Sequence, residues 1–534
     1  MVSSAIFWGA TIAYLGITLF LAYLAYKKTK MGEEFLLAGR NVPSWIIGLS
    51  YGSTFISTSA IVGFGGVAGV YGMSIIWLTV LCIGVGIMIA FILYGQRIRT
   101  IGQSLKALTF PDFIGKRFQS PFLQYSSALI IVLAMPLYAA AVLIGGARFI
   151  ETTLGLDYDT ALLGFAIITA AYVIFGGLLA VLYTDAFQGG IMMFGLTAIL
   201  VLTFYILGGV NEANQALTDL ATDPGVPSSL TAQGMTGWTS FPELLSQNWW
   251  FMVTTIIMGV GIGVLAQPQL TVRFMTAKNR KSLNRAVPVG AVFIFLSTMV
   301  AFTVGALSNV YFWDEEGKLS IQVAGNVDKV IPMYIDSAMP DTIIVLFMLT
   351  LLAAAMSTLS ALFHTMGSAA GHDLWCYISP SRLMPKSMRK DVITCSLKAN
   401  RIGTFIMIAA SIAVAYSMPQ DIIAIATAMF MGLCAVALLP MLTYGIFTKK
   451  PFSLPAKLSL VVGASAWFLW AMFVYERYAK VFGLCEFLFG EVTLLQDPYK
   501  WIDPLFIGIP LSVAALIIGI LIVRQSRPAT TASS

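Results

Sequence analysis

Charge is scarce in this chain. Of its 534 residues only 10% are Asp, Glu, Lys or Arg, while 58% are hydrophobic. Soluble domains carry about a quarter charged residues, so a water-exposed globule is excluded. Histidine is rarer still, with two residues, and the five cysteines, Cys82, Cys376, Cys395, Cys434 and Cys485, form an odd and scattered set. Neither a disulfide framework nor metal-ligand spacing follows from them. The first residues, Met1-Val2-Ser3-Ser4-Ala5, have no basic stretch, and no small-residue cleavage site precedes Lys27-Lys28. A cleaved signal peptide is therefore not expected. No polar stretch is long enough for a soluble catalytic or signalling domain.

What is present is one apolar run after another. Crossing a bilayer takes about 20 such residues in a helix, and thirteen segments qualify, beginning 4–26, 44–71 and 74–96 and ending 456–476 and 504–524. The expected fold class is all-α and polytopic, with about thirteen transmembrane helices. With the N-terminus placed outside, 25 of the 31 Lys and Arg fall on one side, including Arg97, Arg99, Arg273 and Lys278. The positive-inside rule makes that side cytoplasmic. The opposite connections are acidic, with Glu151, Asp157, Glu212, Asp314 and Glu315. The expectation is a multi-pass protein of the plasma (inner) membrane with its N-terminus outside and its C-terminus cytoplasmic. The net charge of +6 is then a topology signal, and no nucleic-acid partner is expected. The connections 209–247, 313–340 and 372–400, the last with Pro380, Pro385 and Arg389-Lys390, hold nothing catalytic.

Two spans carry hydroxyls and small residues where leucine is usual: Gly52-Ser53-Thr54-Phe55-Ile56-Ser57-Thr58-Ser59 and Ala353-Ala354-Ala355-Met356-Ser357-Thr358-Leu359-Ser360. Irregular backbone in a membrane is tolerated only where protein or a polar cavity supplies partners. Sodium is a hard cation that takes about five or six oxygens, and carbonyls freed at a helix break can join neutral hydroxyls to supply them. Ser357 and Thr358 lie about 100° apart on a helix and can border one point, with the carbonyls of Ser53, Ile56 and Ala354 completing a cage. The alternative is that these small residues merely let helices pack closely.

Several motifs then occur in order. They are Phe35-Leu36-Leu37-Ala38-Gly39-Arg40, Ile144-Gly145-Gly146-Ala147-Arg148-Phe149-Ile150-Glu151, Phe175-Gly176-Gly177 with Tyr183-Thr184-Asp185-Ala186-Phe187-Gln188, Gln267-Pro268-Gln269-Leu270-Thr271-Val272-Arg273, and Ala354 to Thr358 running on to His372-Asp373-Leu374. Together they resemble the sodium/solute symporter family, especially its sodium/proline and sodium/pantothenate branches. The resemblance implies a five-plus-five inverted repeat of the leucine-transporter type, with the first helix of each repeat broken. It divides the chain into an extra N-terminal helix and loop (1–43), a first repeat (44–208), a loop (209–247), a second repeat (248–447) and two extra C-terminal helices with a tail (448–534). The breaks fall in 44–71, near Gly63, Gly65 and Gly66, and in 248–272, near Gly259, Gly261 and Gly263.

Residue by residue, the family's sodium site maps onto Ser53, Ile56, Ala354, Ser357 and Thr358. Asp185, at the cytoplasmic start of its segment, falls on the inward sodium route; read by itself it is a solvated residue at a helix start. Tyr138 stands where the proline branch has a pocket tyrosine, and Ser57, Thr58, Val260, Val264 and Gln267 are further pocket candidates. Val260 and Val264 replace two aromatic residues of proline carriers, and Phe55 stands where they have an aspartate, which favours another small carboxylate such as pantothenate, a monocarboxylate or an amino acid. His364 is read as a helix-facing histidine bonded to a neighbour. The implied activity is sodium-coupled import of a small organic solute, with no catalysis, no cofactor beyond the sodium ion, and sodium, solute and the lipid bilayer as partners; no oligomeric state follows from the residues. The alternatives are a sodium/proline symporter proper, a transporter-like sensor and a channel.

Overall fold

The computed structural model describes residues 4–29, 32–228, 232–376, 392–419 and 421–525. Among them no strand forms, and Val42 and Ala277 make an isolated bridge. Helices dominate because a backbone in lipid must satisfy its N–H and C=O groups within its own segment. In chain order the principal elements are α1 (Ser4–Lys28), α2 (Ser44–Phe55), α3 (Phe64–Tyr71), α4 (Ile76–Ile83), α5 (Pro121–Leu154), α6 (Tyr158–Ile206), α7 (Pro268–Thr276), α8 (Arg280–Glu316), α9 (Val330–Ala338), α10 (Asp341–Ser368), α11 (Val392–Ser417), α12 (Ile423–Leu433), α13 (Leu439–Phe447), α14 (Ser453–Phe473) and α15 (Pro504–Gln525). The residues Pro380, Pro385, Arg389 and Lys390 of the connection 372–400 lie outside the described part.

Eleven helical stretches among the described residues are long and apolar enough to cross a membrane. The difference from thirteen arises at two places. Segment 44–71 is interrupted after α2, and its second half runs on within the stretch Ser59–Ser104. Segments 160–183 and 185–208 form the single element α6, bent at Gly177, whose φ of 61° suits a residue without a Cβ. Its leading part, Tyr158–Ala170, is a shorter apolar helix.

The breaks are made by residues other than the expected glycines. In the first, Ile56 leaves helical space with φ −87° and ψ 96°, and a π-helical turn, Ser59–Gly63, follows Thr58. In the second, Gln267 is extended at φ −66° and ψ 121° directly before Pro268. Proline disfavours helical conformation in the residue before it and readily starts a helix. Close packing explains the glycines instead. A Cβ on Gly66 would stand 2.0 Å from the Val327 carbonyl oxygen, and one on Gly263 would stand 2.3 Å from that of Met431.

α2 occupies the centre, packed against α6, α8 and α10. α1 lies across α6 and α10, where the Tyr14 hydroxyl accepts from Gln188 Nε2 at 2.8 Å and lies 3.5 Å from Met356 Sδ. α14 and α15 pair at the edge, with the Ser459 and Ser512 hydroxyls 2.9 Å apart.

On the face where α1 begins, the segment before α9 is tied to the start of α12 by reciprocal caps. The N–H of Val327 donates to Asp421 Oδ1 at 2.6 Å, and the N–H of Ile422 donates to Asp328 Oδ2 at 3.1 Å. Beside them Arg148 pairs with Glu151 at 2.8 Å, and Lys329 Nζ lies 3.9 Å from Glu151. Burial and then the Asp421 charge push the Asp328 carboxyl up to about 7, against the backbone N–H groups and Arg148. A raised carboxyl stabilises the fold most below its unfolded value of about 4, and that contribution is lost as pH rises through about 7. The melting temperature of the purified protein should therefore fall between pH 5 and pH 8 in the wild type, with a flatter profile in Asp328→Asn. Superimposable pH profiles would remove Asp328 from this account.

Candidate functional site

The last turn of α2 has no following helical turn to use its carbonyls, because the chain leaves the helix at Ile56. Such orphan acceptors need outside partners. α10 supplies them: Ser357 Oγ lies 2.9 Å from the Ser53 carbonyl and 3.1 Å from the Ala354 carbonyl, and Thr358 Oγ1 donates to the Thr54 carbonyl at 2.9 Å. Ser53, Ala354, Ser357 and Thr358, four of the five expected sodium residues, thus converge, all of them buried. A further carbonyl, not among the expected five, joins them, and the expected Ile56 carbonyl lies one residue beyond the end of α2. Thr54 provides the carbonyl that meets Thr358, while Ile56 sits at the break with its N–H bonded to Gly52 O at 2.9 Å. The group is a set of neutral oxygens shielded from solvent, a donor chemistry that suits a hard monovalent cation.

The opposite side of the same turn is charged. Asp185 is fully buried within α6, so the sequence expectation of a solvated residue at a membrane edge does not hold. Its Oδ2 accepts from Ser50 Oγ at 2.6 Å, from Thr54 Oγ1 at 3.1 Å and from Arg273 Nη2 at 2.8 Å. Arg273, 1% exposed, also donates through Nε to Ser50 Oγ at 2.9 Å, through Nη1 to the Gln269 carbonyl at 2.6 Å, and through Nη2 to Thr54 Oγ1. Among the described residues Asp185 Oδ1 has no hydrogen-bond partner. Two desolvated charges are tolerable only when paired and hydrogen-bonded, and removing one partner of such a pair costs about 3–5 kcal/mol. The sequence places Arg273 in the Gln-Pro motif and among the positive charges of the cytoplasmic side, with no buried partner; the structure instead buries it against Asp185. Its signal was available: an arginine five residues after Pro268, in a half-helix with no acidic residue of its own.

The pocket candidates separate. Ser57, Tyr138 and Val260 line one small cavity of about 10 Å³, together with Phe55, Phe64 and Phe302. That volume admits about one water. Tyr138 stacks on Phe430 with centroids 5.9 Å apart, and its hydroxyl meets the Ser57 side chain. Thr58 instead donates to the Val142 carbonyl at 2.9 Å. Val264 faces Gly86, where a Cβ would meet it at 3.2 Å, and the Gln267 side chain is bonded by Gln269 Nε2. None of Thr58, Val264 and Gln267 lines the cavity. Phe64, Phe302 and Met431, contributed by three separate elements, were not anticipated. His364 is buried, 5.4 Å from the Phe35 ring and hydrogen-bonded to the Leu36 backbone, as a helix-facing histidine should be.

Comparison with known proteins bears on the family and the fold. The sodium/pantothenate symporter of Haemophilus influenzae is 29% identical over 490 residues, covering 90% of this chain and 95% of that protein. The sodium/proline symporter of Escherichia coli is 26% identical over 485 residues, covering 90% of each. A solved Na+-coupled sialic acid symporter superposes with a TM-score of 0.74 at 18% identity over 98% of both chains. At that identity the likeness speaks for the fold, which is the inverted-repeat architecture of leucine-transporter type. The profile of the sodium:solute symporter family matches residues 35–463. The chain is a membrane transporter and belongs to the sodium:solute symporter family.

Proposed function

We propose that this symporter imports a small organic carboxylate, of the class of pantothenate, an amino acid or a short monocarboxylate, in step with sodium by alternating access. The observation that carries the reading is the convergence of the Ser357 and Thr358 hydroxyls on the carbonyls of Ser53 and Thr54 at a helix break. Sodium held there joins α2 to α10 and favours the solute-competent state, because coupling requires different sodium affinities in the two states. The pantothenate- and proline-carrying relatives supply the carboxylate class. Val260, in place of an aromatic wall, leaves the cavity aliphatic on that side, which argues against proline itself. The repeats at 44–208 and 248–447, a plasma-membrane location and an outside N-terminus belong to the same proposal.

Purified protein should be stabilised against heat by sodium over potassium, and further by one carboxylate from a panel of pantothenate, amino acids and monocarboxylates. In Ser357→Ala/Thr358→Ala the sodium concentration for half-maximal effect should rise at least about tenfold, since a hydrogen bond to a charged group contributes about 1.5–3 kcal/mol. Unchanged sodium dependence in the folded double variant rules out this cage.

Asp185 belongs to the sodium exit route in this reading, because it borders the cage from the opposite side of the same turn of α2, through Ser50 and Thr54. Asp185→Asn should slow net uptake more than it weakens equilibrium sodium binding. Equal losses in both quantities assign the carboxylate a purely structural role.

A further inference from the structure

α1 does not lie flush on the core. Between it and the transporter body runs a cavity of about 260 Å³, lined by Phe7 and Leu15 of α1, Gly164 and Phe165 of α6, and Met348 and Met356 of α10. Its two hydroxyl residues have partners already. Thr11 Oγ1 donates to the Phe7 carbonyl at 2.9 Å, and Thr160 Oγ1 lies 3.4 Å from Asp157 Oδ2. Apart from these hydroxyls and the Trp8 indole the lining is apolar, which suits a polar solute poorly, and apolar cavities of even smaller volume stay dry. Of the rim residues, Trp8 on the membrane-crossing α1 is 52% exposed, Ile168 on the shorter apolar helix Tyr158–Ala170 is 38% exposed, and Leu156 in the connection between α5 and α6 is 39% exposed. What meets the mouth of the groove is therefore hydrocarbon. The shape is elongated as well: Met348 to Met356 spans eight residues of helix, or about 12 Å.

We propose that this groove is a lipid site that takes one acyl chain of a membrane phospholipid, inserted from the leaflet beside the start of α1 and ending against Met356. Met356 is 1% exposed, so lipid lying on the outside of the protein does not reach it. It precedes Ser357 directly and touches Tyr14, which puts the end of the chain behind the segment that carries the cage hydroxyls.

The test uses the whole protein in proteoliposomes containing phosphatidylethanolamine with a photoactivatable diazirine near the end of one acyl chain. After illumination, mass spectrometry should find adducts on Met348 and Met356 as well as on outward residues such as Phe194. Among the described residues a Cβ added at Gly164 meets nothing within 4 Å, so Gly164→Leu should fold normally and fill the groove. It should lose the Met356 adduct while keeping that at Phe194, and Gly164→Ala should retain both. Labelling confined to outward residues overturns the proposal. So does a Met356 adduct that persists unchanged in folded Gly164→Leu, one that forms only with a diazirine-bearing detergent, or a cross-link from Met356 to a second copy of the chain.

Discussion

Thr54 serves two networks with its two ends. Its carbonyl, freed because the helix stops after Phe55, accepts from Thr358, while its hydroxyl donates to Asp185 and accepts from Arg273. Through this one residue the neutral oxygens of the cage and the buried ion pair share a single turn of α2. α2 contacts α6, α7, α8 and α10, so a shift in that turn is felt by all four. The interior of a membrane protein offers no water to replace a lost partner, and the turn is held by the bonds it makes.

The two faces of that turn differ in chemistry. Towards α10 the oxygens are neutral, which suits an ion that must leave as readily as it arrives. Towards α6 and α7 the groups are charged and fully desolvated, with Ser50 and Thr54 hydroxyls placed between carboxylate and guanidinium. A pair of this kind contributes little net stability against an apolar replacement, yet it penalises heavily any arrangement that leaves one charge alone. It therefore acts on the choice between conformations more than on the stability of either. Asp185 Oδ1, buried and without a hydrogen bond among the described residues, marks the side on which that network has capacity to spare.

Much of this was legible in the residues. Apolar runs gave the all-α membrane class, hydroxyls where leucine is usual drew attention to two spans, and the family resemblance pointed to the inverted repeat and to Ser53, Ile56, Ala354, Ser357 and Thr358. What the sequence did not carry was partnership across distance. Asp185 and Arg273 are 88 residues apart, and a lone carboxylate in an apolar segment looks the same whether it faces water or an arginine. Helical spacing placed Val260 and Val264 on one face, but Val264 turns to Gly86 because the helix changes from π through α to 3₁₀ between them. The break glycines misled for a related reason. In a membrane, glycine marks close approach of helices as often as a bend, and Pro268 and the exit at Ile56 make the bends here.

We infer that sodium held at the proposed cage is sensed by the ion pair through Thr54, and hydrogen exchange in sodium against potassium tests this on the wild type and Thr54→Val. That variant keeps the carbonyl that meets Thr358 and loses the hydroxyl that meets Asp185 and Arg273. In the wild type, sodium should slow exchange both in residues 353–360 and in residues 268–276. In Thr54→Val the protection of 353–360 should remain and that of 268–276 should disappear. Equal protection of both segments in the folded variant would contradict the account.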